Sequence, residues 1–211
     1  DPKSPFKPLV AALAGSVVQP GDALVLASFN QARAGAPSPR ALLSFKAGDE
    51  PVRARVAQAI ASLDTARKPG SSALADTDLG EAVRAATGQV LNGRPGIVWL
   101  VTNNRNSPDN DQATATRNRE FYALIHTGDA ITKALAFPLR MQVAGKHYSA
   151  NGLMVYAFAV GAQGAAALDA LLASGRIARV ITEPPARLKP LDRDTVRLAP
   201  RRVVNASGVS F

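Results

Sequence analysis

Apolar positions Phe6, Leu9, Val10, Leu13 and Val17 recur three and four residues apart and predict a helix over 5–18, stopped by Pro20 and Gly21. The pattern then changes period. Residues 23–29 are a continuous apolar run bounded by turn residues, the signature of a strand buried on both faces. A loop rich in Gly, Pro and Ser (35–39) leads to a short second strand over 40–45, placed at an edge.

Asp49 reads as a helix cap, with Glu50 and Pro51 in the first turn and Val52, Val56, Ile60 and Leu63 on the apolar face. After the loop 68–72, Asp78 and Glu81 stand at capping-box spacing ahead of Leu79, Val83, Ala86 and Val90, which predicts a further helix ended by 93–96. Residues 97–102 form a second apolar strand, followed by a polar loop over 103–111. Residues 112–126 and 129–136 read as a helix broken at Thr127-Gly128, and 139–149 as a small hairpin turning at Ala144-Gly145. A third apolar strand (153–160), a helix over 163–173 capped by Gly175 and a strand over 177–182 complete the series.

Strands alternating with helices predict an α/β fold: a doubly wound, mostly parallel sheet covered by helices on both faces. Beyond Glu183 the character shifts to short strand-like runs without helices. The expected organisation is therefore an α/β domain over 1–183 and a basic, β-type extension over 184–211, either the start of a second module or a return to the main sheet.

The 211 residues are enough to bury a core without metals or disulfides, and the absence of cysteine removes thiolate nucleophiles and Cys-based metal sites. Only His126 and His147 remain for imidazole chemistry, and neither has a carboxylate at readable spacing. No apolar run is long enough to span a bilayer. The net charge of +9 is concentrated between Arg176 and Arg202, where eight basic residues face three acids. Arg187, Lys189, Arg193, Arg197, Arg201 and Arg202 make up a basic strip suited to phosphate, anionic lipid or an acidic protein face. No aromatic side chain interleaves them to stack on bases, so nucleic acid is the less favoured partner.

The order of elements, with Gly21-Asp22-Ala23-Leu24-Val25-Leu26 at the first visible strand, Thr77-Asp78-Leu79 before a helix, and 97–102 running into a polar loop, resembles the von Willebrand factor type A domain over residues 5–182. That resemblance implies a rim of loops at the carboxyl ends of parallel strands. It also implies a Mg²⁺ ion held there by an Asp-x-Ser-x-Ser loop, a Thr and an Asp, with one position open to an acidic side chain of a partner protein. The chain departs from that pattern. Asp1-Pro2-Lys3-Ser4 lacks the hydroxyl spacing, Thr77 matches, and Asn103 stands where the family has Asp, with Asn104 behind it. The expectation is a degenerate cation site, with no metal and no cofactor. Thr77, Asp78, Asn103, Asn104 and Arg105 are then the binding residues of a shared lip. For Thr77 a helix cap is the plainer role, and for Asn103 and Asn104 a turn bonding its own backbone.

Asp109 and Asp111 with Asn106 and Asn110 lack the Gly and Glu of a calcium loop, so Asp111 is read as a helix cap. Gly161-Ala162-Gln163-Gly164 after a strand resembles a phosphate-cradling turn but lacks the rest of a dinucleotide fingerprint. Asn205-Ala206-Ser207 meets the glycosylation pattern. No residue is assigned a catalytic role. The functional expectation is a non-enzymatic domain of adhesion or assembly that binds another protein, extracytoplasmic (secreted, periplasmic or membrane-tethered), since a chain starting at Asp1 agrees with a removed leader. The alternatives are a Rossmann- or flavodoxin-like enzyme acting on a phosphorylated ligand, and a nucleic-acid binder using the arginine strip.

Overall fold

A computed structural model describes residues 4–33, 38–68, 70–106, 111–144 and 149–190. In chain order these form α1 (Phe6–Val17), β1 (Ala23–Ser28), β2 (Arg40–Lys46), α2 (Val52–Ala61), α3 (Leu79–Ala85), β3 (Gly96–Thr102), α4 (Asp111–Thr127), β4 (Ile131–Ala144), β5 (Ser149–Val160), α5 (Gly161–Ala173) and β6 (Ala186–Lys189). A π-helical turn, Ala86–Val90, prolongs α3.

Among the described residues the strands build two sheets, β1-β2 and β3-β5-β4-β6, and every pairing is antiparallel. The doubly wound parallel sheet expected from the apolar runs, and implied by the resemblance to the von Willebrand type A domain, is therefore not the fold of this chain. The same finding removes the Rossmann or flavodoxin frame. The physical reason lies in what an apolar run reports. Helices cover both faces of the four-stranded sheet, so its strands lose the polar alternation of a one-sided sheet while running in opposite directions. Direction is set by the connection: only 145–148 join β4 to β5, too few residues for a crossover.

β4 is the largest correction. Of residues 129–136, expected as helix, 129–130 form a turn and 131–136 belong to a 14-residue strand that pairs with β5 along most of its length. Lys133-Ala134-Leu135-Ala136 is good helix-forming sequence, but both sides of the run are needed for packing. Leu135, Phe137 and Leu139 join Leu13, Val17, Val155, Leu168 and Leu171 on one face of the sheet, under α1 and α5. Ile131, Ala134 and Ala136 join Leu79, Val83, Phe121, Ile125, Tyr156 and Phe158 on the other, under α3 and α4. Tertiary burial overrides local propensity here.

Smaller corrections follow. The cap of α2 is Pro51 and not Asp49, and it makes no side-chain bond. Residues 177–180 form a turn and 181–182 are irregular in place of the expected strand, with the Val180 and Ile181 amides donating back to the Ile177 carbonyl and Ile177 and Ile181 buried. β6, past residue 184, pairs with β4. A third apolar cluster packs Ala11 and Ala14 of α1 and Val56 and Ile60 of α2 against Leu24, Leu26, Leu42 and Leu43 of the β1-β2 hairpin. No helix among the described residues is long and apolar enough to cross a membrane. His147, Asp109, the arginines at 193, 197, 201 and 202 and the Asn205 motif lie outside the described residues, as does the side chain of Asp111.

Candidate functional site

Three connections meet at one end of the molecule. The chain leaving β1 reaches the turn before α3: the Gln31 amide donates to the Asp76 carbonyl at 2.7 Å, the Ala32 amide to Glu81 Oε1 at 3.1 Å, and Arg33 pairs with the Asp76 carboxylate at 3.0 Å. That turn in turn meets the loop leaving β3, where the Leu79 amide donates to Asn106 Oδ1 at 2.8 Å. The β4-β5 hairpin overhangs this rim, because β3 ends at Thr102 opposite Met154 while β5 begins five residues earlier, at Ser149.

Asp78, and not Thr77, is the N-cap of α3. Its Oδ1 accepts the Glu81 amide at 2.8 Å, the expected half of a capping box. The return half is absent, since Glu81 turns its carboxylate to Ala32. Thr77 is half-buried immediately ahead of the cap.

In the 103–106 loop, Asn103 is exposed and its Oδ1 accepts the Arg105 amide at 3.2 Å, the turn-forming role weighed for it. Asn104 sits at φ +59°, a left-handed conformation that asparagine tolerates, and its Oδ1 accepts the Tyr156 hydroxyl at 2.8 Å. Burial, reinforced by the neighbouring Tyr122 phenol, pushes the Tyr156 hydroxyl well above the ordinary tyrosine range, so it stays a donor. Arg105 is exposed at the tip. Asn106, one of the residues of the polar loop expected over 103–111, is buried, holding Leu79 through its oxygen and donating to Asn118 Oδ1 of α4 at 2.8 Å. Nothing in its spacing distinguishes it from the other asparagines of the loop.

The rim carboxylates are engaged internally. Asp76 is held between Arg33 and Lys68 at 3.0 and 2.9 Å, and Asp78 Oδ2 faces the Arg117 guanidinium at 3.7 Å. An open cleft of about 420 Å³ beside this pair is lined by Asp78, Gln112, Ala113, Thr116, Arg117 and Glu120. Arg117 Nη1 is buried without a hydrogen-bond partner. The Mg²⁺ implied by the resemblance does not fit this donor set: the carboxylate next to Thr77 serves as a helix cap and has a guanidinium beside it, and an amide stands at 103. Among the described residues no three His, Asp or Glu side chains gather to hold a cation.

The basic strip is described only at its start. Arg187 is exposed on β6, and Lys189 donates to the Gly128 carbonyl at 2.8 Å. The phosphate-turn resemblance at 161–164 has a packing explanation. Gly161 takes φ +70° to turn from β5 into α5, and a Cβ at Gly164 would stand 2.5 Å from the Gly96 carbonyl oxygen, so the helix lies directly on the start of β3.

No family model, curated protein or solved structure matches this chain.

Proposed function

We infer that this chain is a non-enzymatic protein-binding domain that meets its partner with the rim formed by the 76–78 turn and the 103–106 loop. The observation that carries the reading is the Leu79 to Asn106 hydrogen bond, which joins two loops distant in sequence into one surface. Beneath it, Tyr156 holds Asn104 and Asn118 holds Asn106, so the exposed side chains of Asn103 and Arg105 stand on a pre-organised support. Pre-organisation lowers the ordering cost of association, which favours recognition by a surface of fixed shape. The ionisable groups of the rim support binding over catalysis, because Asp76, Asp78 and Glu81 are already committed to ion pairs, a cap and a backbone amide. Arg105, exposed at the tip of the loop, suits an acidic or amide-rich partner face.

The test is a photo-reactive residue introduced at Asn103 in the protein expressed in its source cells. The reading predicts a discrete adduct with another polypeptide, lost when Arg105→Glu is added, and no such adduct from the same group at exposed Gln58 of α2. Equal labelling from both positions contradicts it.

A further inference from the structure

β3 has the sequence of an interior strand and the position of an edge. Its seven residues carry no charge and helices lie over both faces, yet Ile97, Val98, Trp99 and Val101 are only half-buried, whereas residues 155–160 of the adjacent β5 are all buried. Among the described residues β3 pairs with β5 alone and β1 with β2 alone, so each has one side of its hydrogen-bonding ladder without a strand. The outer strands protect their open sides with charge: β2 carries Arg40 and Lys46, β6 carries Arg187 and Lys189. β1 (Ala-Leu-Val-Leu-Ala-Ser) and β3 carry none, and Val25 of β1 is 39% exposed.

These two bare sides lie under the same helix and run to the same rim. β1 and β3 both end on the rim, since the chain leaving β1 bonds Asp76 and the loop leaving β3 bonds Leu79, so the two strands run in the same direction. α1 covers both, with Leu13 and Val17 in the cluster that includes Ile97 and Trp99, and Ala11 and Ala14 against Leu24 and Leu26. The start of α1 also lies at the rim. Lys7 bonds the Ala61 carbonyl at the end of α2, and Gly15 abuts Arg53 near the start of α2, which follows β2 at the opposite end of the sheet. A strand leading into α1 therefore runs toward the rim, parallel to β1 and β3, with α1 as the crossover helix to β1.

We propose that the gap between β1 and β3 seats one further apolar strand, parallel to both, which enters α1 directly from the N-terminal side of Asp1. It joins the two sheets into a single one, ordered β2-β1-new strand-β3-β5-β4-β6. The amides and carbonyls on the bare sides are its hydrogen-bonding partners, and Val25, Val98 and Trp99 gain the lateral packing they lack.

Residue-resolved hydrogen exchange on three chains tests this: the chain from Asp1 to Phe211, the same chain extended upstream by seven alternating Val and Ile residues joined to Asp1, and the chain ended at Pro190. The expected result is that amides on the bare sides of β1 and β3 exchange freely in the first chain, and slow by about 100-fold or more in the extended chain independently of protein concentration. No slowing in the extended chain overturns the proposal. So does protection already present in the first chain, whether lost on dilution, which assigns the gap to a second copy, or lost in the chain ended at Pro190, which assigns it to residues 191–211. Because the first and third chains report without the extension, an extended chain that fails to fold leaves the proposal open to refutation by them.

Discussion

The backbone amide of Leu79 donates to Asn106 Oδ1 at 2.8 Å, and both residues are buried. This one bond ties the first turn of α3 to the loop after β3 and satisfies an amide that the helix itself leaves without a partner. Asn106→Ala leaves the Leu79 amide and Asn118 without their partner. The expected cost is about 2 kcal/mol, the penalty of a buried donor left unsatisfied, read as a lower urea midpoint at unchanged slope. A loss under about 0.5 kcal/mol would mean that the two loops are held by other contacts.

Tyr156 supplies a pH dependence. Its folded pKa is raised above the unfolded value near 10, so the folded state holds the proton more tightly. Its contribution is complete below pH about 10 and is lost as pH rises above it. In an absorbance titration Tyr156 is expected to ionise well above the ordinary tyrosine range. Tyr156→Phe removes that late step, flattens the alkaline fall in stability and costs about 1 kcal/mol at neutral pH through the lost bond to Asn104. A titration that Tyr156→Phe leaves unchanged above the ordinary tyrosine range contradicts the buried donor.

Gly164→Ala tests the explanation of the 161–164 turn by packing. The new Cβ meets the Gly96 carbonyl oxygen at 2.5 Å, so α5 must shift from the sheet. The expected loss is about 2 kcal/mol by thermal or urea unfolding. Gly88→Ala, where a Cβ meets nothing within 4 Å, is the matched control and is expected to be neutral or slightly stabilising.

The elements before residue 127 were legible because their periodicity and punctuation agree. The stripe of Leu9, Leu13 and Val17 marked α1, and the capping-box spacing of Asp78 and Glu81 marked the start of α3, although the plainer cap reading fell on Thr77. Strand direction was not legible, because Ile97 to Thr102 and Leu153 to Val160 are apolar for the same reason, helices on both sides, although they run oppositely. β4 was hidden by its own composition: Ala134, Leu135 and Ala136 favour a helix locally and are recruited to two different cores by their alternation. At the rim, the adjacency of the 77 and 103 turns was expected on a parallel sheet and is found on an antiparallel one, since β3 alone carries the second turn to that end. Asn106 was not singled out, because burial of one amide among several in a polar loop has no sequence signature.

Arg105→Glu separates the rim's binding role from stability. The side chain is exposed, so unfolding is expected to change by less than about 0.5 kcal/mol, while adduct formation from position 103 is lost. A large drop in stability would mean that Arg105 serves the fold, and unchanged adducts would remove it from the contact surface.

The account stands on the two loops acting as one contact surface, and paired cross-linking tests that most directly. Photo-reactive residues are introduced separately at Thr77 and Asn103 in otherwise identical protein, and the captured polypeptides are identified by mass spectrometry. The account predicts that both positions capture the same partner; capture of different partners, or capture from one loop alone, contradicts it.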